Sequence, residues 1–485
     1  MISYNQVPTA LRYPGAYVEI DGSQAGLGGD IPTVLLVGQK LATGTAPAGQ
    51  VVRVSSVADA VAKAGAGSML AQMAARYRAI DPTLDLYLLP YADNGAGVAA
   101  TGTLTVTAAP TVAGTLALYI AGRLVSVGLA TGQTTTQVAA AIVAAMTDAD
   151  LPVTATSALG VVTLTAKHKG TCGNNIDLRT NLYGEPTPTG LALTLAALAG
   201  GTGDPATGTL SAILGLQRWW YVALGINDAA TLAAWHTESQ RRYAPPVQAG
   251  FRAFTAFRGD YATAATFGTA KNYEHIACLS LELNPTSTWE AAAIVAAAAG
   301  PKLYNNPVES LEGTPLTGMV GVSYHDWTNS NSLLYKGMSV MQMTRDGSCS
   351  IKRLISMYQF RPDGSTDDAY LDINAGEVME RIRYEQRIGA IKRFTGTAAA
   401  KTNEGYRPGL RITTIDDVRA YLLSLYQHTL MQEFGWVQEY GYYKDHLVVE
   451  QDPTNPSRFN YLDTPVVLSP FYILAGRAQF RKVAA

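Results

Sequence analysis

Pro32-Thr-Val-Leu-Leu-Val-Gly38 is an unbroken apolar run. A half-buried strand alternates apolar and polar residues, whereas a continuous run of this length reads as a strand covered on both faces, as in a parallel sheet packed between helices. Downstream, Ser56 with Asp59 three residues on resembles a capping box, and Met69, Met73, Ala74 and Tyr77 fall on one helical face. Asp85 to Tyr91 is a second buried strand, stopped by the Asp93-Asn94-Gly95 turn signal.

From about Gly97 to Asp204 the texture changes. Short Thr-, Val- and Ala-rich strands are expected at Thr103 to Ala108, Thr115 to Ala121, Arg123 to Leu129, Val153 to Thr156 and Val161 to Lys167, with one helix from Thr134 to Asp148. Strand-helix alternation then resumes. Strands are expected at Trp219 to Ile226, Gln248 to Phe257 and Ile276 to Glu282, with helices from Asp228 to about Arg242, Tyr261 to Ala270 and Ser287 to Ala299. Two buried strands before the β-rich segment and three after it imply one open α/β layer with an inserted β-rich domain. A loop is where such an insertion is tolerated.

Beyond Pro301 the chain reads as irregular to about Ser330 and helix-prone to Arg361, and Glu377 to Phe394 carries mixed charge at helical spacing. Thr413-Thr414-Ile415-Asp416-Asp417 caps a helix reaching about Gln432, with Ile415, Val418, Leu422 and Leu425 on one face. Gln451-Asp-Pro453-Thr-Asn-Pro456 reads as a tether before two last strands, Phe459 to Leu468 and Phe471 to Val483. In the last of these Tyr472, Leu474, Ala478 and Phe480 share a face, opposite Arg477, Gln479 and Arg481. Pro465 and Pro470 cannot donate to a ladder, which puts both strands at edges, and Ser469-Pro470 lacks tight-hairpin chemistry, leaving them free to pair with different molecules.

Upstream of the opening run lies Leu11-Arg-Tyr-Pro-Gly-Ala-Tyr-Val-Glu-Ile-Asp21, where a Pro14-Gly15 bend precedes an alternating strand, Ala16, Val18 and Ile20 against Tyr17, Glu19 and Asp21. Gly22, Gly26, Gly28 and Gly29 make the following stretch a flexible tether, and ten extended residues reach at most roughly 35 Å. Such a strand folds back on its own domain or adds to a sheet edge in a neighbour. The divisions expected are an arm and tether over 1–30, an α/β domain over 31–96 plus 205–330, an inserted β-rich domain over 97–204, and an α+β C-terminal domain over 331–485 with terminal arm strands.

Lys plus Arg is 36 and Asp plus Glu 38, a net charge of -2 that argues against binding nucleic acid through phosphate neutralisation. Charged residues are 15% of the chain against a usual share near 25%, so part of the surface is expected to be covered by something else. Cys172, Cys278 and Cys349 are odd in number and widely spaced, which suggests neither a disulfide framework nor a metal knuckle. No apolar h-region begins the chain, and the longest strongly apolar run, Ala291 to Ala299, falls far short of the ~20 residues that span a bilayer. The protein is expected to be soluble.

No catalytic set emerges. Gly38 to Gly44 follows a strand as a phosphate loop would, but Lys40 stands near its start and no Gly-Lys-Ser/Thr ends it. His168 and Cys172 lack a second ligand pair and read as a solvated loop; Asp363 to Asp368 lacks the alternating ligands of a calcium loop and reads as a turn; His236 reads as a helix-surface residue. No metal and no cofactor are expected.

Tyr13-Pro-Gly-Ala-Tyr-Val-Glu-Ile-Asp21 resembles the Pro-Gly-aromatic/aliphatic-Val-Glu signature near the start of contractile-tail sheath proteins. Asn5-Gln6-Val7-Pro8 and Ser23-Gln24-Ala25 bring it close to the sheaths of Mu-like phages, and Gly200 to Asp204 is similar to a sheath turn with its order altered. The resemblance implies a structural subunit and not an enzyme. It implies hexameric rings stacked helically round a tail tube, with the insertion outward and copies joined by arm strands, Tyr13, Pro14, Gly15, Tyr17, Val18 and Ile20 at one end and Tyr472, Leu474, Ala478 and Phe480 at the other. Gly22, Gly26, Gly28, Gly29, Pro453 and Pro456 would be the hinges. The C-terminal domain would face the tube through a polar contact, for which the capped helix offers Asp416, Asp417 and Arg419. Partners implied are further copies, the tail tube protein, and baseplate and tail terminator proteins, without direct nucleic-acid contact or membrane insertion, in a virion tail assembled in the host bacterial cytoplasm. The alternatives are the sheath of a phage-derived bacteriocin or injection system, and, in another class, an α/β enzyme with a β-rich accessory domain.

Overall fold

The computed structural model describes residues 32–402 and 409–480. The opening apolar run forms β1 (Thr33–Gln39), followed by β2 (Val52–Val54), α1 (Val57–Ala64), α2 (Met69–Ile80) and β3 (Asp85–Tyr91). β3 lies parallel to β1, with Thr33 opposite Asp85, and β2 adds antiparallel to its outer edge. The single helical stretch expected here is two helices. Gly65 and Gly67 adopt φ of 92° and 72°, which side chains with a Cβ resist, and Ser56 and Ser68 each accept a backbone N–H to start a helix.

Seven strands come next: β4 (Ala99–Ala108), β5 (Gly114–Ile120), β6 (Arg123–Leu129), β7 (Val153–Ala158), β8 (Val161–Lys169), β9 (Leu178–Thr180) and β10 (Ala192–Ala199), with α3 (Thr135–Ala145) after β6. They close two antiparallel sheets, β10-β4-β8-β7 and β6-β5-β9. A full capping box between Thr134 and Gln137 begins α3, which buries Val138, Ala139 and Ile142. The two ends of the segment meet at a bridge between Val98 and Thr202.

The chain then returns to the first sheet through α4 (Leu210–Leu214), β11 (Tyr221–Leu224), α5 (Ala229–Tyr243), β12 (Arg252–Phe257), α6 (Tyr261–Thr269), β13 (Ile276–Ser280) and α7 (Thr288–Asn305). Asp228 and Asp260 cap α5 and α6 through backbone N–H groups of their first turns. The sheet runs β13-β12-β11-β1-β3-β2, its first five strands parallel. β1 is buried from Val34 to Gln39, as a strand covered on both faces must be. The alanine run of α7 is buried throughout; small side chains let the helix approach so closely that a Cβ on Gly300 would stand 3.0 Å from the Tyr221 ring.

The C-terminal part departs most from expectation. α8 (Trp327–Leu334) is followed by a hairpin of β14 (Val340–Met343) and β15 (Cys349–Arg353), where helix was expected. Asp346 and Gly347 dictate it: Asp346 accepts the Ser348 N–H and Gly347 takes φ 83°. α9 (Ile373–Phe394), β16 (Ala398–Ala399), β17 (Ile412–Thr413) and α10 (Ile415–Ser424) follow, and α10 runs on as a π-helix, Leu425–Glu433. The rest is short: β18 (Val437–Gln438), α11 (Tyr440–His446), β19 (Val448–Gln451), β20 (Phe459–Leu462) and β21 (Val466–Val467). They pair only in twos, β16 with β17, β18 with β21 and β19 with β20. Two cores result. One runs through the six-stranded layer and both antiparallel sheets; a smaller one gathers Val378 and Ile382 of α9 with Leu422, Tyr426, Leu430 and Tyr443.

Candidate assembly surface

In open α/β sheets ligands bind beyond the carboxyl ends of the strands, where the strand order reverses. Here the reversal lies between β1 and β11, and the chain's own side chains fill it. Gly38 and Gly225 are packed by the Met69 and Met73 thioethers, so closely that a Cβ on either would come within 3 Å of a sulfur. Gln39 donates to Asp93 and to the Lys169 carbonyl, both at 2.8 Å, and accepts from Cys172 Sγ at 3.0 Å. Lys40, the candidate phosphate-loop lysine, is turned onto the carbonyls of Gly44 and Ala46.

His168 and Cys172 are therefore not in a solvated loop. His168 Nε2 accepts the Met69 N–H at 3.0 Å, so its proton sits on Nδ1 and is donated to Asp93 at 3.0 Å. Burial pushes the Cys172 thiol well above its ordinary range and keeps it a donor. Both residues belong to the seam between the two antiparallel sheets and the layer. The expectation failed because their partners are far away in sequence. Glu290, fully buried on α7, completes the seam by accepting from Arg76 of α2 at 2.9 Å and from Arg123 of β6 at 3.1 Å.

His236 is half-buried, its ring stacked on Tyr273 at 4.4 Å. Among the described residues no group of three or more His, Cys, Asp or Glu is arranged to hold a metal, and no helix is long and apolar enough to cross a membrane.

The surface with unmet needs is C-terminal. From Ser469 to Phe480 no residue joins a ladder or a helix, so the strand expected over Phe471 to Val483 is absent within this chain as far as it is described. A strand needs a partner, and here none is offered. Leu474 and Phe480 are 87% and 95% exposed and Ala478 is exposed, whereas Tyr472 lies against the body with the Arg353 guanidinium 4.8 Å above its ring. Burial pushes the Tyr472 hydroxyl up to about 12. The hairpin β19–β20 carries Val448, Tyr461 and Leu462 exposed, and beside it a groove of about 490 Å³ opens over Ala390, Phe394, Val418 and Phe459. Two-stranded ladders are marginal alone in water.

Pro453 and Pro456 do not make a tether. They sit in the tip of the β19–β20 hairpin, where Asp452 accepts the N–H groups of Thr454 and Asn455. Those bonds hold Asp452 at about 2, with the Thr454 hydroxyl contributing most. Of the tube-facing candidates only Asp416 points freely outward. Asp417 closes a capping box with Thr414, and Arg419 donates to the carbonyls of Lys444 and Leu447. The arm residues Tyr13, Pro14, Gly15, Tyr17, Val18 and Ile20 and the hinge glycines 22, 26, 28 and 29 lie outside the described residues.

No family model matches the chain. A tail sheath protein of the Mu-like prophage FluMu of Haemophilus influenzae is 33% identical to it over 488 residues, covering 99% of each. The chain belongs to the tail sheath proteins of Mu-like phages. Solved sheath structures are more distant: the sheath tail protein of Desulfitobacterium hafniense matches at a TM-score of 0.46 and 16% identity, over 94% of this chain and 100% of its own. A chain of the 6-fold symmetrised anti-feeding prophage baseplate matches at 0.47 and 11%, over 97% and 100%. In this sheath protein the sequence did not announce the hairpin β14–β15, the π-helix, the strands β2, β9, β10, β16 and β18, or the short helices α4 and α11; for the hairpin, Asp346-Gly347 was the readable signal.

Proposed function

We propose that this tail sheath subunit polymerises with further copies around a tail tube and contracts to drive the tube through the host envelope. Copies are linked by their terminal arms, each adding a strand to the C-terminal region of another. The observation that carries this reading is the unpaired apolar tail, Phe471 to Phe480, beside ladders of only two strands. Each backbone bond between subunits contributes about 0.5 to 1.5 kcal/mol net, which multiplies over many copies. In this reading residues 31–96 plus 205–330 form the layer, 97–204 point outward, and 331–485 are the assembly region. The partners are the tube, baseplate and tail terminator proteins, in a virion tail assembled in the host bacterial cytoplasm.

Deleting residues 1–22, or ending the chain at Leu468, tests the linkage. Both truncations are expected to keep the thermal transition of the full chain while no longer yielding sheaths in sedimentation and electron micrographs. Cooperative loss of the monomer fold in either truncation would assign that arm to its own core instead.

A further inference from the structure

α9 rises about 33 Å over its 22 residues; its last turn carries Lys392 and Arg393, while its first turn holds no acidic residue. At and beyond its C-terminal half stand Arg387, Lys392, Arg393, Lys401 and Arg411, none in an ion pair among the described residues; all but the half-buried Arg387 are exposed. Among the described carboxylates near them, Glu385 is half-buried, Asp417 is committed to its capping box, and Asp416 and Glu433, the latter close enough to act on Glu385, are exposed, two against five. Just before α9, the turn Asp363-Gly-Ser-Thr-Asp-Asp368 projects Asp363 and Asp368 into solvent, while Asp367 is held by Arg361 at 3.1 Å and by the Tyr358 hydroxyl at 2.8 Å.

Helix dipoles favour acid at the start and base at the end, but the effect fades within a turn. It covers Lys392 and Arg393 in the last turn. It does not cover Arg387, two turns in, nor Lys401 and Arg411 past the Thr395 cap, nor Asp363 and Asp368, which precede the Asp372 cap by four residues or more.

We infer that the basic surface at the C-terminal end of α9 is a docking surface for a second copy of this chain, which presents its Asp363–Asp368 turn there, head to tail. Such a heterologous contact does not close on itself, so repeating it builds a ring or a helical stack. The inference rests on self-assembly as proposed above and names a contact that the arms do not make.

Charge reversal in the full-length protein tests it. Asp363→Lys with Asp368→Lys, and separately Lys401→Glu with Arg411→Glu, should each raise the concentration needed for assembly by about tenfold or more, because like charges set against each other across an interface are strongly disfavoured. Combining all four restores assembly towards that of the unmodified chain, and added salt, which weakens assembly of the unmodified chain, strengthens it in each half-reversed variant. A second readout does not need complete sheaths. Asp368→Cys with Arg393→Cys, under oxidation, should give a ladder of cross-linked oligomers, whereas either cysteine alone gives dimers at most. Unchanged assembly in both half-reversed variants, failure of the four-fold swap to rescue, or absence of the ladder overturns the contact. If reversal of the basic residues weakened binding of tube protein alone and left self-assembly intact, the occupant would be the tube and the inference would fall. Loss of assembly on arm deletion together with indifference to these charges would leave the arm reading standing and remove only this one.

Discussion

The two antiparallel sheets of residues 99–199 and the C-terminal region after α8 are both attached to the same parallel layer, and they are finished to different degrees. The former pair seven strands into sheets of four and three and share a continuous core with the layer. The latter divides its strands into pairs, leaves Phe471, Ile473, Leu474 and Phe480 at least 74% exposed, and has a small core of its own. A region that has met its own hydrogen-bonding and burial needs has little left to offer a neighbour. One that has not leaves those needs to be met by other copies in the assembly proposed above.

The sharpest way to break the first half of this comparison is at Glu290. Replacing both Arg76 and Arg123 by Ala leaves a fully buried carboxylate without its cations, and uncompensated buried charge costs about 3–5 kcal/mol. Denaturant unfolding should show a loss of that size, in one transition if the antiparallel sheets and the layer are one cooperative unit. A separate early transition would mean that the seam is weaker than its geometry. Excision of residues 97–204 would uncover Glu290 as well, along with Gln72, which donates to the Asp150 carbonyl and accepts from Trp289 at 2.7 Å; a merely rejoined loop is therefore expected to be less stable than the full chain.

A second difference is acid sensitivity. Burial holds His275 well below its ordinary range, with Arg252 adding to the effect, and burial also lowers His236 and His325. A histidine whose folded pKa lies below its unfolded value binds fewer protons folded than unfolded, so its contribution is complete above about 6.5 and is lost as pH falls through the folded pKa. All three lie in or beside the layer. Hydrogen exchange between pH 7 and 5 should therefore show the layer loosening on acidification, and His275→Gln should flatten the dependence. An acid-insensitive melting temperature in the unmodified protein would contradict the burial of these rings.

The C-terminal core should respond to smaller insults and more locally. Thr414→Ala removes the N-cap of α10 and should cost about 1 kcal/mol. Exchange should rise over α10 and the π-helix while the layer stays protected. Uniform loosening would show that the two cores are more tightly coupled than their separate packing implies.

How much of this was legible in the sequence follows from the range of the interactions involved. β3 and β6 were foreseen to the residue, and α5 to within one, because an apolar run with turn chemistry or a cap on either side is a local signal. The hairpin β14–β15 was misread as helix-prone because its strands are short and the Asp346-Gly347 signal was outweighed by helix-forming residues around it. His168 and Cys172 were placed in solvent because nothing near them in sequence announces Gln39, Asp93 or Met69. The hinge expected at Pro453 and Pro456 failed because a proline-rich stretch held by an Asp452 turn is a rigid tip. The family resemblance was legible in the arm motif, whose residues lie outside those the structure describes.

The smallest effect concerns the three charges first offered to the tube. Asp417 and Arg419 are structural: one caps α10 and the other ties it to the end of α11 through two carbonyls. Reversing them would disturb the C-terminal core whether or not they touch a partner, so they cannot report on tube contact. Asp416 is free of such duties. Asp416→Asn should change stability by no more than about 0.5 kcal/mol, as exposed substitutions away from special features do. Its removal from the positive end of the helix dipole accounts for most of that, about 0.3 kcal/mol. If the start of α10 faces the tube, the same substitution weakens sheath-tube co-assembly at low salt, and the difference from the unmodified protein vanishes as added salt screens the contact. Tubeless self-assembly stays the same. Equal tube binding by the two proteins at every salt concentration would take the tube contact away from α10, and the basic residues of α9 would then be tested for it with the same titration.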